Sequence, residues 1–457
     1  MSKFKRSMLA ASVGICCVGP VLGESITLEE AGQRMLAYSQ QFQILELERD
    51  AAIEQTRAAL GERFPRVQLS VGYMEIEQDI VSSDNTTFQA GTSEYPTTTT
   101  TLSIVQPIFD AERFRQYPLA KAEEQAAVMR REVQLNQLWS QLIEAFLLAA
   151  EMQNQLEQQR LIADARESLW EDAQSLLSAG RIEAAQALGF QSEWLAAQSQ
   201  ALIVRQQQAE ALDALMQWTG PGISQVQAAI QPQQLPDLER LSVLLPKDRL
   251  LALNPAVQLA EAEMLVAEKQ LRLVKGAHFP KVNFRIQAEQ EATEGSLFGG
   301  GSEVESIEYG VDITWLMYQG GTAAARSRES TRRLMIAGEQ RQETIQSVER
   351  RYDELFSTLR HQQRVLNALA QEYQLAEERV EAAQQQVDSG RAGLGVLEEA
   401  ALRRDTLKLR QRQQALVFLK AQVELYALFG AQDISGLNAA LRGRPVRLSE
   451  NSMTPSS

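Results

Sequence analysis

A hydrophobic ladder at 3-4-3-4 spacing constrains this chain more than any other feature. Ile345, Val348, Tyr352, Leu355, Leu359, Leu366, Leu369, Tyr373, Ala376, Val380, Ala383 and Val387 all fall on it, and only Gln362 interrupts it. A 3.5-residue period held for roughly six heptads predicts a left-handed coiled coil. The ladder stops at Asp388-Ser389-Gly390-Arg391, and helical sequence resumes at Val396. An earlier stretch has the same rhythm in Leu135, Leu138, Leu142, Ala145, Ala149, Met152 and Leu156, and turns at Ser178-Ala179-Gly180-Arg181. The two Gly-Arg turns lie 210 residues apart, as do Gly220 and Gly430. One helical hairpin is written twice, at 112–218 and 320–429.

Each hairpin follows sequence of a different period. Val67, Leu69, Val71 and Tyr73 alternate with polar residues after Phe64-Pro65; Val282, Phe284 and Ile286 do so after Phe279-Pro280, 215 residues later. This is strand periodicity with one apolar face. The spacing predicts strands at 66–79, 97–109, 281–291 and 304–317. Residues 25–62 read as one helix opened by Ser25 or Thr27 as N-cap, with Glu29 and Glu30 in its first turn. A proline-bearing connector at 221–247 joins a first repeat, 24–220, to a second, 248–430; a polar tail follows at 431–457.

Composition narrows the function. A net charge of −14 over 457 residues opposes binding to nucleic acid phosphates. Residues 1–23 combine Lys3, Lys5 and Arg6 with an apolar run and small residues at Val21 and Gly23, as a secretory signal does. Both cysteines, Cys16 and Cys17, fall inside it, and Ile15 is a poor residue to precede a lipidated cysteine. The mature chain then offers no thiol chemistry. His278 and His361 are isolated, so zinc sites of the usual spacing are absent. Gly299-Gly300-Gly301 lacks the lysine of a phosphate loop. Neither an enzyme nor a cofactor is expected.

The polar side of the strands carries Arg285, Glu289, Glu308 and Asp312, which excludes a dry interior. The alternation fits a solvated sheet, or a membrane barrel whose polar side lines water. Tyr73, Phe109, Phe279, Trp315 and Tyr318 lie near strand ends, where an interfacial girdle would put them. Four strands cannot seal a barrel, because an open edge in lipid strands its N–H and C=O groups. Strands that enter a membrane must therefore be pooled between chains. A helix over 112–178 reaches roughly 100 Å, so the molecule is long.

The order helix, strand pair, long hairpin, duplicated at near-constant offset, resembles the TolC family of outer-membrane efflux proteins. The resemblance rests on Phe64-Pro65-Arg66-Val67 and Phe279-Pro280-Lys281-Val282, on Gln106-Pro107-Ile108-Phe109-Asp110, and on both Gly-Arg turns. Leu215-Met216-Gln217-Trp218-Thr219-Gly220 and Tyr426-Ala427-Leu428-Phe429-Gly430, which close the hairpins, belong to it too. It covers nearly all of the mature chain. It implies a mainly α chain with a small membrane β part, in a homotrimer that closes a 12-stranded barrel over a periplasmic α-helical barrel. It also implies the outer membrane of a Gram-negative bacterium, lipid contact, and docking on a periplasmic adaptor that leads to an inner-membrane transporter. Aligning Val396-Leu397 with the family motif puts one expected aspartate on Gly395 and the other on Glu398, beside Glu399. Glu398 and Glu399 are thus candidates for an acidic constriction that would attract cations, with an ordinary solvated helix face as the alternative. Gly180, Arg181, Gly390 and Arg391 are candidate adaptor contacts; purely structural turns are the alternative. An exit duct for efflux or type I secretion is expected, with a slight lean to secretion. A periplasmic coiled-coil adaptor and a rod without a pore are the competing readings.

Overall fold

The computed structural model describes residues 24–80, 91–227, 235, 238–295, 300–389, 391 and 394–430. The signal segment with Cys16 and Cys17, the turn residue Gly390 and the tail lie outside them. The chain is mainly helical with a small sheet.

A short strand β1 (Glu24–Ile26) precedes α1 (Leu28–Tyr38) and α2 (Gln40–Gly61). The single helix expected over 25–62 is therefore three elements. Ser25 is in a strand, and Thr27 is the N-cap, with Glu30 completing a reciprocal capping box. Ser39 breaks the helix because its extended backbone (ψ 117°) ends α1, while its hydroxyl accepts from the Phe42 N–H to start α2.

Strands β2 (Arg66–Ile80) and β3 (Gly91–Phe109) lead into α3 (Ala111–Ser178) and α4 (Ala184–Thr219). After β4 (Ile223–Val226) come α5 (Leu238–Leu244), α6 (Lys247–Leu253) and α7 (Pro255–Val274). Strands β5 (Lys281–Thr293) and β6 (Ser302–Thr314) then lead into α8 (Thr322–Asp388) and α9 (Leu394–Leu428). β3 starts six residues before the expected 97, because its register with β2 continues to Ile80↔Gly91. β6 stops at Thr314 rather than 317. Its partner β5 begins only after Pro280, so Trp315 has nothing to pair with; its indole N–H donates to the His278 carbonyl at 3.2 Å instead.

The sheet is antiparallel in the order β2-β3-β5-β6. The helices beneath keep the same lateral order. α2 packs on α3, α3 on α7 and α7 on α8; further along, α4 and α9 flank α3, and α9 packs on α8. The end of α4 abuts α1 and the end of α9 abuts the start of α7. Gly220 (φ 81°) ends α4 where a Cβ would meet the Tyr38 ring at 3.3 Å, and Gly430 (φ 67°) follows α9 where one would meet Pro255 at 3.1 Å. Glycine is needed at both junctions, for φ and for space.

Two apolar clusters fix the middle of the molecule. Trp139, Leu142 and Phe146 of α3 pack on Ile26, Met35, Ile223 and Val226. Tyr352, Leu355 and Leu359 of α8 pack on Leu241, Leu245, Leu250 and Phe418. Every residue of the 345–387 ladder is buried or half-buried. Gln362, its one polar member, accepts a hydrogen bond from the Gln414 amide of α9. No single described helix is long and apolar enough to cross a membrane.

Candidate functional site

Residues opposite one another in an antiparallel pair share a face, so the registers assign each face across all four strands. One face runs in rows such as Gln68, Ser103, Gln287, Glu308 and Ser70, Thr101, Glu289, Ser306. Arg285, Glu289, Glu308 and Asp312 all lie on it. The Arg285 guanidinium meets the Asp312 carboxylate at 3.0 Å, and the Gln287 amide donates to Glu289 at 2.9 Å.

The opposite face is apolar and has no partner among the described residues. Val67, Leu69, Val71 and Tyr73 on β2, and Ile307, Tyr309, Val311 and Ile313 on β6, are 60–79% exposed. A contiguous apolar sheet face of this extent marks an interaction surface. The belt is slanted: it is centred near residue 70 on β2, whose row reaches β6 at Ser306, yet on β6 it is centred near residue 310. Gln290, Glu303 and Glu305 stand in the rows left above it, with the Gln290 amide donating to Glu303 at 2.6 Å. No sequence window could reveal this slant, because it exists only once three registers are fixed.

Polar and aromatic contacts missed in the sequence hold the joint between sheet and helices. Asp110 ends β3 and caps α3, accepting from the N–H groups of Glu112 and Arg113, both at 3.1 Å. Lys281 reaches Glu112 at 2.9 Å and Asp110 at 3.8 Å, tying β5 to the start of α3. Arg63 lies over the rings of Phe114 and Tyr117, 5.8 and 4.7 Å from their centroids, and Arg115 over Phe279 at 5.4 Å.

At the other end, the two hairpin turns have the same backbone logic. The Arg181 N–H donates to the Leu176 carbonyl at 2.9 Å and the Gly180 N–H to that of Leu177 at 2.9 Å; the Arg391 N–H donates to the Gln386 carbonyl at 2.8 Å. The first pair of bonds is a Schellman motif, which needs the left-handed residue that Gly180 supplies at φ 66°. The side chains of Arg181 and Arg391 project into solvent, with no ion pair among the described residues.

Glu398 bridges helices. One of its oxygens accepts from the Ser168 hydroxyl of α3 at 3.2 Å, and the other is buried without a partner among the described residues. Glu399, one position on, is exposed. In the α2/α3 groove, partial burial pushes the Glu123 carboxyl above its ordinary pKa, although the residue as a whole stays exposed. Between α3, the start of α7 and α9 lies a crevice of about 470 Å³. The ion pairs Glu144–Lys420 and Arg351–Glu424 border it.

A long coiled-coil body under a sheet with one wet and one greasy face restricts the family sharply. The model of the outer membrane efflux protein family matches residues 31–221 and 247–431. The chain belongs to that family. As a member it is an exit duct of the Gram-negative outer membrane, with a periplasmic extension, and its family's work is transport rather than catalysis. Solved structures of similar fold include the Campylobacter jejuni CmeC outer membrane channel, at TM-score 0.72 and 11% identity over 92% of this chain and 90% of that one. CusC matches at TM-score 0.70 and 14% identity over 90% and 92%. The open state of the Neisseria gonorrhoeae MtrE channel matches at 0.66 and 13% over 88% of each chain. At these identities the likeness is one of fold. No curated protein sequence matches the chain.

Proposed function

We propose that three copies of this chain close head to tail into one duct, each giving four strands to a 12-stranded barrel and two tandem halves, 24–220 and 248–430, to a periplasmic helical cylinder. The carrying observation is the shared lateral order of sheet and helices. β2, α2 and α4 are the free edge on one side, and β6 and α8 the free edge on the other. The exposed Leu188, Leu195 and Leu202 recur every seven residues on α4, and Met335 and Ile336 are exposed on α8. Edges that differ from one another join as a heterologous interface, and rotation closes the ring.

The slant of the apolar belt supports closure. About four residues of drift across three strand steps, at ~3.3 Å per residue and ~4.8 Å per step, corresponds to a tilt of roughly 40°, within the range barrels adopt. Two copies would make eight strands, whose interior side chains fill the bore. Three is the smallest number that leaves Arg285, Glu289, Glu308 and Asp312 in water.

Within this duct, Glu398 and Glu399 supply the acidic constriction, with Glu398 held by Ser168 and Glu399 free to face cations. Arg181 and Arg391, beside Gly180 and Gly390, meet a periplasmic adaptor that leads to an inner-membrane transporter. The duct is passive, and the transporter selects the cargo.

Cysteines placed on β2 and β6 test the assembly. Oxidation is expected to yield covalent trimers and no larger species, and the purified protein to conduct ions in planar bilayers. A soluble, detergent-free monomer would overturn the reading.

A further inference from the structure

Where the chain crosses between helix and sheet, its charge reverses. The four crossings, residues 54–66, 110–117, 268–281 and 315–333, hold thirteen Lys and Arg against six Asp and Glu, in a chain whose net charge is −14. Each of the six acids is ion-paired within the collar: Glu54 with Arg57, Glu62 with Arg66, Asp110 and Glu112 with Lys281, Glu268 with Arg272, and Glu329 with Arg333. Seven cations have no acidic partner among the described residues. Four of them, Lys275, Arg326, Arg328 and Arg332, are exposed.

The collar therefore carries excess positive charge that no ion pair among the described residues neutralises. It adjoins the end of the apolar belt, where Phe279, Trp315, Leu316, Met317 and Tyr318 are exposed. Aromatic side chains with basic residues just beyond an apolar surface suit the boundary of a bilayer. Basic residues near such a surface each add about 1 kcal/mol of attraction to anionic lipid.

We propose that this collar binds the phosphate headgroups of anionic phospholipids in the leaflet facing the periplasm, using Lys275, Arg326, Arg328 and Arg332. The inference rests on the outer-membrane reading of the sheet and adds a lipid preference to it. It predicts that the protein selects anionic lipid over zwitterionic lipid of the same chain length.

The test uses the full chain in nanodiscs of phosphatidylcholine, alone or mixed with phosphatidylglycerol, comparing wild type with Lys275→Ser/Arg326→Ser/Arg328→Ser/Arg332→Ser. All four positions are exposed in the single chain, and Arg328 and Arg332 share the α8 face of Met335 and Ile336, so equal Tm and an unchanged trimer in pure phosphatidylcholine check that the variant keeps its fold and assembly. Wild type is expected to gain thermal stability with phosphatidylglycerol and to retain it on repurification; the variant loses that gain and retains roughly tenfold less. Three results would overturn the proposal: an equal gain in the variant; an equal gain for wild type from inorganic phosphate in detergent, which marks a free-anion site; or a variant changed only in ion selectivity, which assigns the cations to the bore. A variant that stays trimeric and conducting leaves the duct reading intact whichever way the lipid result falls.

Discussion

Asn254 and Leu428 join two helices end to end: the Asn254 amide donates to the Leu428 carbonyl at 2.8 Å while its Oδ1 accepts from the Val257 N–H at 3.0 Å. One side chain thus caps the start of α7 and satisfies the end of α9. Asn136 does the same for the neighbouring Ala427 carbonyl at 2.7 Å. Asn254 is 3% exposed, so water cannot replace it. Losing an N-cap costs about 1 kcal/mol, and a stranded buried carbonyl about 1–3 kcal/mol. Asn254→Ala is expected to lose about 2–4 kcal/mol. Asn254→Ser, which keeps the cap but cannot reach Leu428, should lose less. Thermal melts of helical circular dichroism in mild detergent rank the two.

The break in the α8 ladder gives a second expectation. Gln362 and Gln414 satisfy one another between α8 and α9. Gln362→Leu alone leaves the Gln414 amide half-buried without its partner and should destabilise by about 1–3 kcal/mol. Adding Gln414→Leu restores complementarity and should recover the loss or exceed wild type, as when a buried polar pair is replaced whole. A double-mutant cycle on Tm measures the coupling. Simple additivity of the two changes would contradict the pairing.

How much of this was legible in the sequence depends on distance along the chain. The ladder, the Gly-Arg turns and the strand alternation are local patterns, legible within a few residues of one another. Register is not local. The Lys281–Glu112 clamp and the Ser168–Glu398 bond join residues 169 or more apart, the slant of the belt needs the β3/β5 register between the two halves, and no periodicity encodes them. The break at Ser39 was missed because the flanking helical pattern runs on across it; only the cap geometry stops α1. At the candidate constriction, the sequence placed Glu398 on a helix near the turn. It could not show that one carboxylate oxygen is taken by a serine on another helix.

Glu123 gives a pH expectation. Burial raises its pKa above the ordinary glutamate value, so the fold favours the neutral acid. Below the unfolded-state pKa both states are protonated and nothing is lost. As pH rises through the raised folded pKa, the fold must hold a partly desolvated carboxylate and stability falls slightly. Glu123→Gln is therefore expected to stabilise slightly at neutral pH, by about 0.5 kcal/mol or less. The gain should vanish in acid below the unfolded pKa. A gain of equal size at both extremes would assign the effect to packing rather than charge.

The tip turns separate backbone from side chain. Gly180 sits at φ 66° with open space where a Cβ would go, so Gly180→Ala has only conformational strain to absorb, about 1–2 kcal/mol. It acts locally, at a hairpin end far from both apolar clusters. Arg181 and Arg391 contribute backbone N–H groups to their turns, which any non-proline residue supplies, and their exposed guanidinium groups hold no acid among the described residues. Arg181→Glu/Arg391→Glu should therefore leave the melting temperature and the oligomer unchanged. If the tips meet an adaptor through these cations, the same variant loses cross-linking to the adaptor and export in cells, and Lys at both positions restores part of each. Loss of export together with a lowered melting temperature would instead make the arginines part of the turn itself.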